Sequence, residues 1–380
     1  MSSVAPSASL LARHGSALDL AALWPALRAE LLAAYEPFWP QHTRVAERAE
    51  WNLPLWELGH VAWFAERWTL RQLDRHLGPR ADPARPLPPG NCRDDFYDSS
   101  AVPHARRWQL PLPDRAGTVA LLAQQLEGAL GALRELGNEG DDALYPFRLS
   151  LLHEAMHLEA ARLLARSLGL PTPSPRSGGV EQVEIAVPAL RVPLGHAGDG
   201  GFAFDNELQG HAVEVATFRV DARARLWRDL LPWLSSPAWH DDRLWSEAGQ
   251  CWRRAQVPRD LAALDPDAPA EPLSAHEAEA WCRWAGRRLL SEAEWLAASG
   301  QPGFAWGEVW EWTAEPFASF AGFPSHPYRD YSAPWFDGRH RLLKGASRFT
   351  PEVLRDVLFR NFYLPGRSDL VAGLRTAAIG

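Results

Sequence analysis

Lysine is nearly missing from this chain of 380 residues: Lys344 is the single one among 39 Lys and Arg. A bias of that size toward arginine reads as GC-rich coding rather than as function. Acidic residues outnumber basic ones, 47 against 39, for a net charge of −8. That balance excludes a nucleic-acid backbone as main partner, because phosphate neutralisation needs a concentrated basic face. Cysteine is scarce, and Cys92, Cys251 and Cys282 are odd in number and far apart. Without a CxxC pair a thiolate zinc knuckle is excluded, and a reduced, cytoplasmic setting is the expectation. No run of about 18 uncharged apolar residues occurs, so no membrane partner is expected. The start of the chain, with Arg13 and His14 directly after a short apolar run, fits a secretory signal poorly. What is plentiful is tryptophan, 19 residues against 6 tyrosines. Indoles are large, rigid and partly polar, and many in one chain line binding surfaces. The 46% hydrophobic and 23% charged content is that of a folded protein, and the length allows two domains.

The two halves have different periodicities. Leucines at helical spacing predict a helix from Ser16 to Phe38, and Pro54 suits the start of a second that runs to Leu77. A Pro-rich irregular stretch, Gly78 to Pro113, precedes helices over Arg115–Leu136 and Asp142–Leu168. Four helices with one long crossover predict a bundle over residues 1–170. Residues 171–184, including PTPSPRSGG (Pro171–Gly179), read as a linker. Beyond it, alternating runs such as VEIAVPALRVPLG predict strands, with helical pieces at Arg223–Leu234, Ala275–Gly286 and Glu292–Ala298. The fold class is therefore α+β, with a loop-rich second domain over 185–380.

One constellation carries chemistry. In LLHEAMHLEAARLL, His153 and His157 are four apart and share a helix face, so they can grip one ion. His60, in LWELGHVAWFAERW, supplies a third imidazole from a helix where an uncoordinated one would be awkward among aromatics. Three imidazoles leave open positions on an ion, which suits zinc hydrolysis and iron(II) oxygen chemistry alike. Glu159 lies about 160° round the helix from His157. That is a position for an outer carboxylate or a salt bridge, not a ligand.

HEAMHLE with the upstream GHVAWF resembles the DinB-like bundle at the front of the ergothioneine-type sulfoxide synthases. GFAFDNELQGHAVEV, EAWCRWAGRRLLSEAEWLAASG, WGEVWEWTAEPF and LLKGAS…FRNFYLP…GLRTA resemble, in order, the formylglycine-generating-enzyme-like domain, a C-type-lectin-related fold. The resemblance implies Fe(II) held by His60, His153 and His157, with O2 and a chalcogen donor as co-substrates. It implies transfer of sulfur or selenium to the imidazole C2 of hercynine. Tyr328 and Tyr331 (YRDY) match a loop where such synthases place a proton-donating tyrosine. Asn361 matches a position that holds the hercynine carboxylate, and Phe362 one that faces the trimethylammonium group.

Two departures narrow the expectation. Formylglycine-generating enzymes bind copper through two cysteines in their final third, and no cysteine follows Cys282 here, so sulfatase activation is not expected. Tyr363 stands where synthases using γ-glutamylcysteine carry an acid for the donor's ammonium group. PLWELGHVAWF and DDFYDSSAVPHARRWQLPLP are similar to the selenoneine-synthase branch, which takes selenium from a selenosugar. Arg106 and Arg107 fall in the crossover that borders the donor site in that design. The expected function is C–Se bond formation on hercynine. The alternatives are a thiol donor, cysteine or γ-glutamylcysteine, and a zinc-dependent DinB-like transferase or hydrolase.

Overall fold

The computed structural model describes residues 6–39, 45–137, 140–174 and 182–379. The first half is helical: α1 (Ala8–His14), α2 (Ala17–Tyr35), α3 (Pro54–Glu66), α4 (Asp94–Tyr97), α5 (Arg115–Leu136) and α6 (Asp141–Ser167). Local signals start these helices where the chemistry asks. Ser16 and Asp19 form a reciprocal capping box at α2, Pro54 opens α3, and the Asp114 side chain accepts from Gly117 N at α5. Helices α2, α3, α5 and α6 pack on one another as the bundle. Every residue of α3 is buried, so this helix is the core of the bundle and not a face of it.

Three features depart from the sequence expectation. The second helix ends at Glu66 instead of Leu77. A π-turn (Arg67–Arg71) follows, in which Arg71 turns away to Asp94 (2.7 and 2.8 Å) and the Pro88 carbonyl (2.8 Å). The crossover is not irregular throughout, since α4 and a 3₁₀ turn at His104–Trp108 lie within it. The short α1 escaped the periodicity because its partners are distant in sequence. Arg13 pairs with Glu207 (2.7 Å) and Asp356 (3.3 Å) of the second half.

Of the expected linker, residues 175–181 lie outside the described residues, and β1 begins at Glu184. The second half carries α7 (Trp227–Leu234), α8 (Glu247–Arg254), α9 (Ala275–Ala285) and α10 (Glu292–Ser299). Among them run β1 (Glu184–Val187), β2 (Leu190–Leu194), β3 (His211–Val215), β4 (Phe218–Asp221), β5 (Arg287–Leu289) and β6 (Trp310–Pro316). The last strands are β7 (Arg341–Gly345), β8 (Asn361–Tyr363), β9 (Ala372–Gly373) and β10 (Thr376–Ala378). The strands form two four-stranded sheets, β1-β4-β10-β5 and β8-β7-β6-β9, and the antiparallel pair β2-β3. The single lysine is structural: buried Lys344 on β7 donates to Glu292 (3.2 Å) and the Phe359 carbonyl (3.0 Å), with Arg360 on the same carboxylate (3.0 Å).

One apolar core runs through both halves, from Trp24 and Leu158 to Trp310 and Leu343. At its centre the buried Glu159 carboxylate on α6 accepts from Trp310 Nε1 (2.8 Å), Ser347 Oγ (2.7 Å) and Thr350 Oγ1 (2.8 Å). Glu159 is thus neither a ligand nor, among the described residues, half of a salt bridge; it fastens the bundle to the second half. Glu159→Ala strands three buried donors, and we expect it to lower unfolding free energy by about 3 kcal/mol. Urea unfolding curves coincident with the parent's would refute that role.

Candidate metal centre

The imidazoles of His60, His153 and His157 come together between α3 and α6, with one nitrogen of each within 4.8 Å of the others. On α6 the i, i+4 spacing brings His153 Nε2 to 3.2 Å from His157 Nε2. His60 and His153 are each 3% exposed.

Neighbouring groups orient two of the rings. His60 Nδ1 lies 2.8 Å from the Tyr97 carbonyl at the end of α4, and His157 Nδ1 lies 2.8 Å from Glu57 Oε1. Each Nδ1–H is the donor, which leaves each Nε2 with a lone pair. His60 is stacked between Trp56 (5.0 Å, 8°) and Trp63 (5.6 Å, 25°), and His153 lies flat on Phe64 (3.6 Å, 7°). Burial drives the His60 pKa down to about 3 and that of His153 well below the usual imidazole range. Both rings therefore stay neutral.

These residues fit a divalent cation. The 3.2 Å between His153 Nε2 and His157 Nε2 also suits a shared ion, since donors about 2.1 Å from one ion sit about 3.0–3.4 Å from each other. No carboxylate or thiolate enters the set, so the ion keeps its charge and open positions.

The other expected site residues divide into those near this centre and those further off. Tyr328 is close, edge-on to Phe64 (4.9 Å) and to His153 (6.1 Å). Burial, with Asp330 and Asp98 nearby, raises its pKa and keeps the phenol protonated. Tyr331 stacks behind it at 5.7 Å and on Phe204 at 4.6 Å. Arg107 also reaches the centre indirectly: its guanidinium lies 4.0 Å over Trp56, the indole that covers His60, and donates to Asn52 (2.6 Å). Arg106 is exposed on the same turn, with no side-chain hydrogen bond among the described residues.

On β8, paired with β7, alternation separates residues expected to act together. Tyr363 carries Arg367 5.2 Å over its ring, and burial and the Glu159 carboxylate push its pKa up to about 12. Asn361 Oδ1 accepts from Phe362 N (2.9 Å). Phe362 stacks on Phe317 (4.1 Å, 12°) and approaches Tyr331 at 6.3 Å.

Glu57 and Phe64 were not singled out from sequence. The signal was present: Glu57 is one turn before His60 and Phe64 one turn after, so all three share a helix face.

Comparison with known proteins agrees with this layout. Residues 181–306 match a sulfatase-modifying factor enzyme 1-like domain. The chain is 29% identical to a hercynine oxygenase of Mycobacterium tuberculosis, over 85% of this chain and 90% of that protein. A hercynine oxygenase of Mycolicibacterium thermoresistibile is 27% identical, over 85% and 86%. A formylglycine-generating enzyme of Streptomyces coelicolor is 28% identical over 36% of this chain and 54% of its own length.

Two predictions follow from the site's environment. Removing the carboxylate on His157 in Glu57→Ala should weaken divalent-metal affinity about 10- to 100-fold, measured by chelator competition. The second concerns pH. The folded-state pKa values of His60 and His153 lie below the unfolded value of 6.5, so only the unfolded chain takes up protons as pH falls. Stability of the metal-free protein is then full above about pH 6.5 and declines toward pH 4, by about 1.4 kcal/mol per pH unit per group. A flat urea-unfolding profile over that interval would count against neutral, buried imidazoles.

Proposed function

Starting from a chain homologous along most of its length to hercynine oxygenases, we propose that this protein is an iron(II)- and O2-dependent enzyme that modifies hercynine. The observation that carries the reading is the three-imidazole centre between α3 and α6, with Tyr328 of the second half set against its His153 edge. His60, His153 and His157 hold the metal. Iron(II) at such a site supplies one-electron chemistry with O2.

The remaining work belongs to the chain. The Glu57 and Tyr97 acceptors hold the His157 and His60 rings, and Phe64 fixes the plane of His153. Tyr328 keeps its proton at neutral pH and stands where it can deliver it beside the metal centre. Tyr331 supports that ring by stacking. Asn361 offers its amide to the carboxylate of the betaine, while Phe362, on the other face of β8, stays packed on Phe317.

In finer detail, we read the reaction as C–Se bond formation at the hercynine imidazole C2 with a selenosugar as donor, in the cytoplasm. Tyr363 supports a donor without an ammonium group, since it brings no negative charge and the carboxylate nearby, Asp369, is already taken by Arg367 (2.6 and 2.7 Å). The test is an aerobic assay of the iron(II)-loaded protein with hercynine and one donor at a time: selenosugar, its sulfur counterpart, cysteine or γ-glutamylcysteine. Products are read by mass spectrometry. A selenium adduct from the selenosugar is the expected result, whereas an adduct from cysteine or the dipeptide alone moves the protein to sulfoxide synthesis. No adduct, with zinc as the purified metal, would falsify the oxygenase reading. Tyr328→Phe should slow adduct formation about 100-fold; an unchanged rate removes this phenol from proton delivery.

A further inference from the structure

Tyr328 and Tyr331 lie on a loop, residues 326–332, that contains turns but no helix or strand. Its two ends are buried, His326 at 8% exposure and Ser332 at 0%, and both meet one side chain. The carboxylate of Asp205, in the 3₁₀ turn Asp205–Glu207, accepts from His326 N on Oδ2 (3.4 Å) and from the Ser332 hydroxyl on Oδ1. The residues on either side of Asp205 hold the same loop. Phe204 stacks on Tyr331 (4.6 Å), and Asn206 Nδ2 donates to Ser332 Oγ (3.0 Å). From the bundle, the Tyr145 hydroxyl on α6, two turns before His153, lies 3.0 Å from His326 Nδ1. Between the tied ends, Arg329 N donates to the Pro327 carbonyl (3.0 Å) and Tyr331 N to the Tyr328 carbonyl (3.2 Å). So folded, the loop sets Tyr328 edge-on to Phe64 and His153.

Most buried carboxylates of this chain are paired with a cation, as Glu154 is with Arg28, Glu207 with Arg13 and Glu311 with Arg375. Asp205 is just as deeply buried and has no cation partner among the described residues. A hydroxyl and a peptide N–H hold a carboxylate less strongly than a guanidinium does, and burial raises the Asp205 pKa to about 6. The titratable groups that face it are His326 and Tyr331 from the loop, Tyr145 from α6 and Glu207 from its own turn. Arg13 of α1 is spent on Glu207 (2.7 Å), and Arg360 donates to the Asn206 carbonyl (2.6 Å). Burial drives His326 down to about 4 and both phenols above the usual tyrosine range, so these three stay neutral near pH 6. Asp205 itself changes charge there.

We propose that Asp205 is the positioning residue of the Tyr328 loop: its ionised carboxylate ties residue 326 to residue 332 and so holds the phenol against the His153 edge of the metal centre. Its bearing on turnover rests on the hercynine reading above, whereas the clamp rests on these contacts alone. When Asp205 takes up a proton, neutral hydrogen bonds replace charge-assisted ones, which are about twice as strong. The loop is therefore held firmly above about pH 6 and loosely below it. Asp205→Asn copies the protonated form at every pH.

Two measurements on the full-length, iron(II)-loaded protein test this. The first is hydrogen–deuterium exchange over residues 326–332, without substrate, under argon and corrected for intrinsic rates. Protection of the parent loop is expected to fall between pH 7.5 and pH 5.5. In Asp205→Asn it is expected to be about tenfold lower at pH 7.5, as loss of one charge-assisted contact implies, and flat across the interval. Ser332→Ala lowers it at pH 7.5 as well, and Arg191→Ala on β2 leaves it at the parent's value. The second measurement is adduct formation from hercynine. In Asp205→Asn, kcat at pH 7.5 is expected to fall about tenfold, the scale of a misplaced reacting group, with an unchanged KM for hercynine. The inference is overturned if Asp205→Asn and Ser332→Ala both keep the parent's loop protection, or if that protection does not change with pH in the parent. Exchange that rises equally throughout the bundle in both variants also overturns it, since Asp205 then serves general stability. The two readings fail separately. A pH-dependent, Asp205-dependent loop in a protein that forms no hercynine adduct from any donor sinks the hercynine reading and leaves the clamp. Full adduct turnover by Asp205→Asn with a loosened loop removes the clamp from catalysis and leaves the hercynine reading standing.

Discussion

Helix α6 is buried on nearly every side and still carries two glutamates and two histidines in its middle turns, and the need to satisfy each of them fixes the rest of the molecule. Glu154 takes Arg28 (2.6 and 2.9 Å) and Trp24 Nε1 (2.7 Å) from α2. Glu159 takes Trp310, Ser347 and Thr350 from the second half. His153 and His157 point toward α3 and meet His60 there. A buried carboxylate without partners is far more costly than a lost apolar contact. Rotating α6 by one residue would strand all four side chains at once, so its register is set by polar constraints on three sides.

The metal centre inherits this rigidity. Two of its three rings have an acceptor behind them, one from α3 itself and one from the carbonyl end of α4. The one-turn α4 also supplies the Phe96 carbonyl to Trp56 Nε1 (2.7 Å), and so holds the indole that covers His60. The crossover therefore does structural work at the site, which its Pro-rich composition conceals.

That contrast explains what the sequence could disclose. The triad was legible because a helix spacing of four and an imidazole among aromatics are local facts. The two halves were legible from a change of periodicity, and the strands VEIAV and LRVPL from alternation. The early end of α3 and the short α1 were not legible, because each depends on a partner outside its own helix: Asp94 for Arg71 and Glu207 for Arg13. Phe362 and Asn361 are adjacent in sequence, but on a strand adjacency means opposite faces. A motif string cannot express that, and the placement of β8 against β7 makes it plain.

The triad is not symmetric, and the asymmetry has a chemical direction. A carboxylate stands behind His157, a peptide carbonyl behind His60, and His153 Nδ1 has no hydrogen-bond partner among the described residues. A hydrogen bond to a charged acceptor raises the basicity of the opposite nitrogen more than one to a neutral acceptor, and an absent bond raises it not at all. Donor strength therefore falls in the order His157, His60, His153. The weakest donor is the one pressed flat on Phe64 and edge-on to Tyr328, the side on which the second half closes over the centre. Its ring is held by stacking on Phe64 and by the Nε2 contact with His157, with nothing behind its Nδ1 among the described residues. The centre thus has a firm side, built wholly within the bundle, and a softer side that faces the residues contributed by the second half.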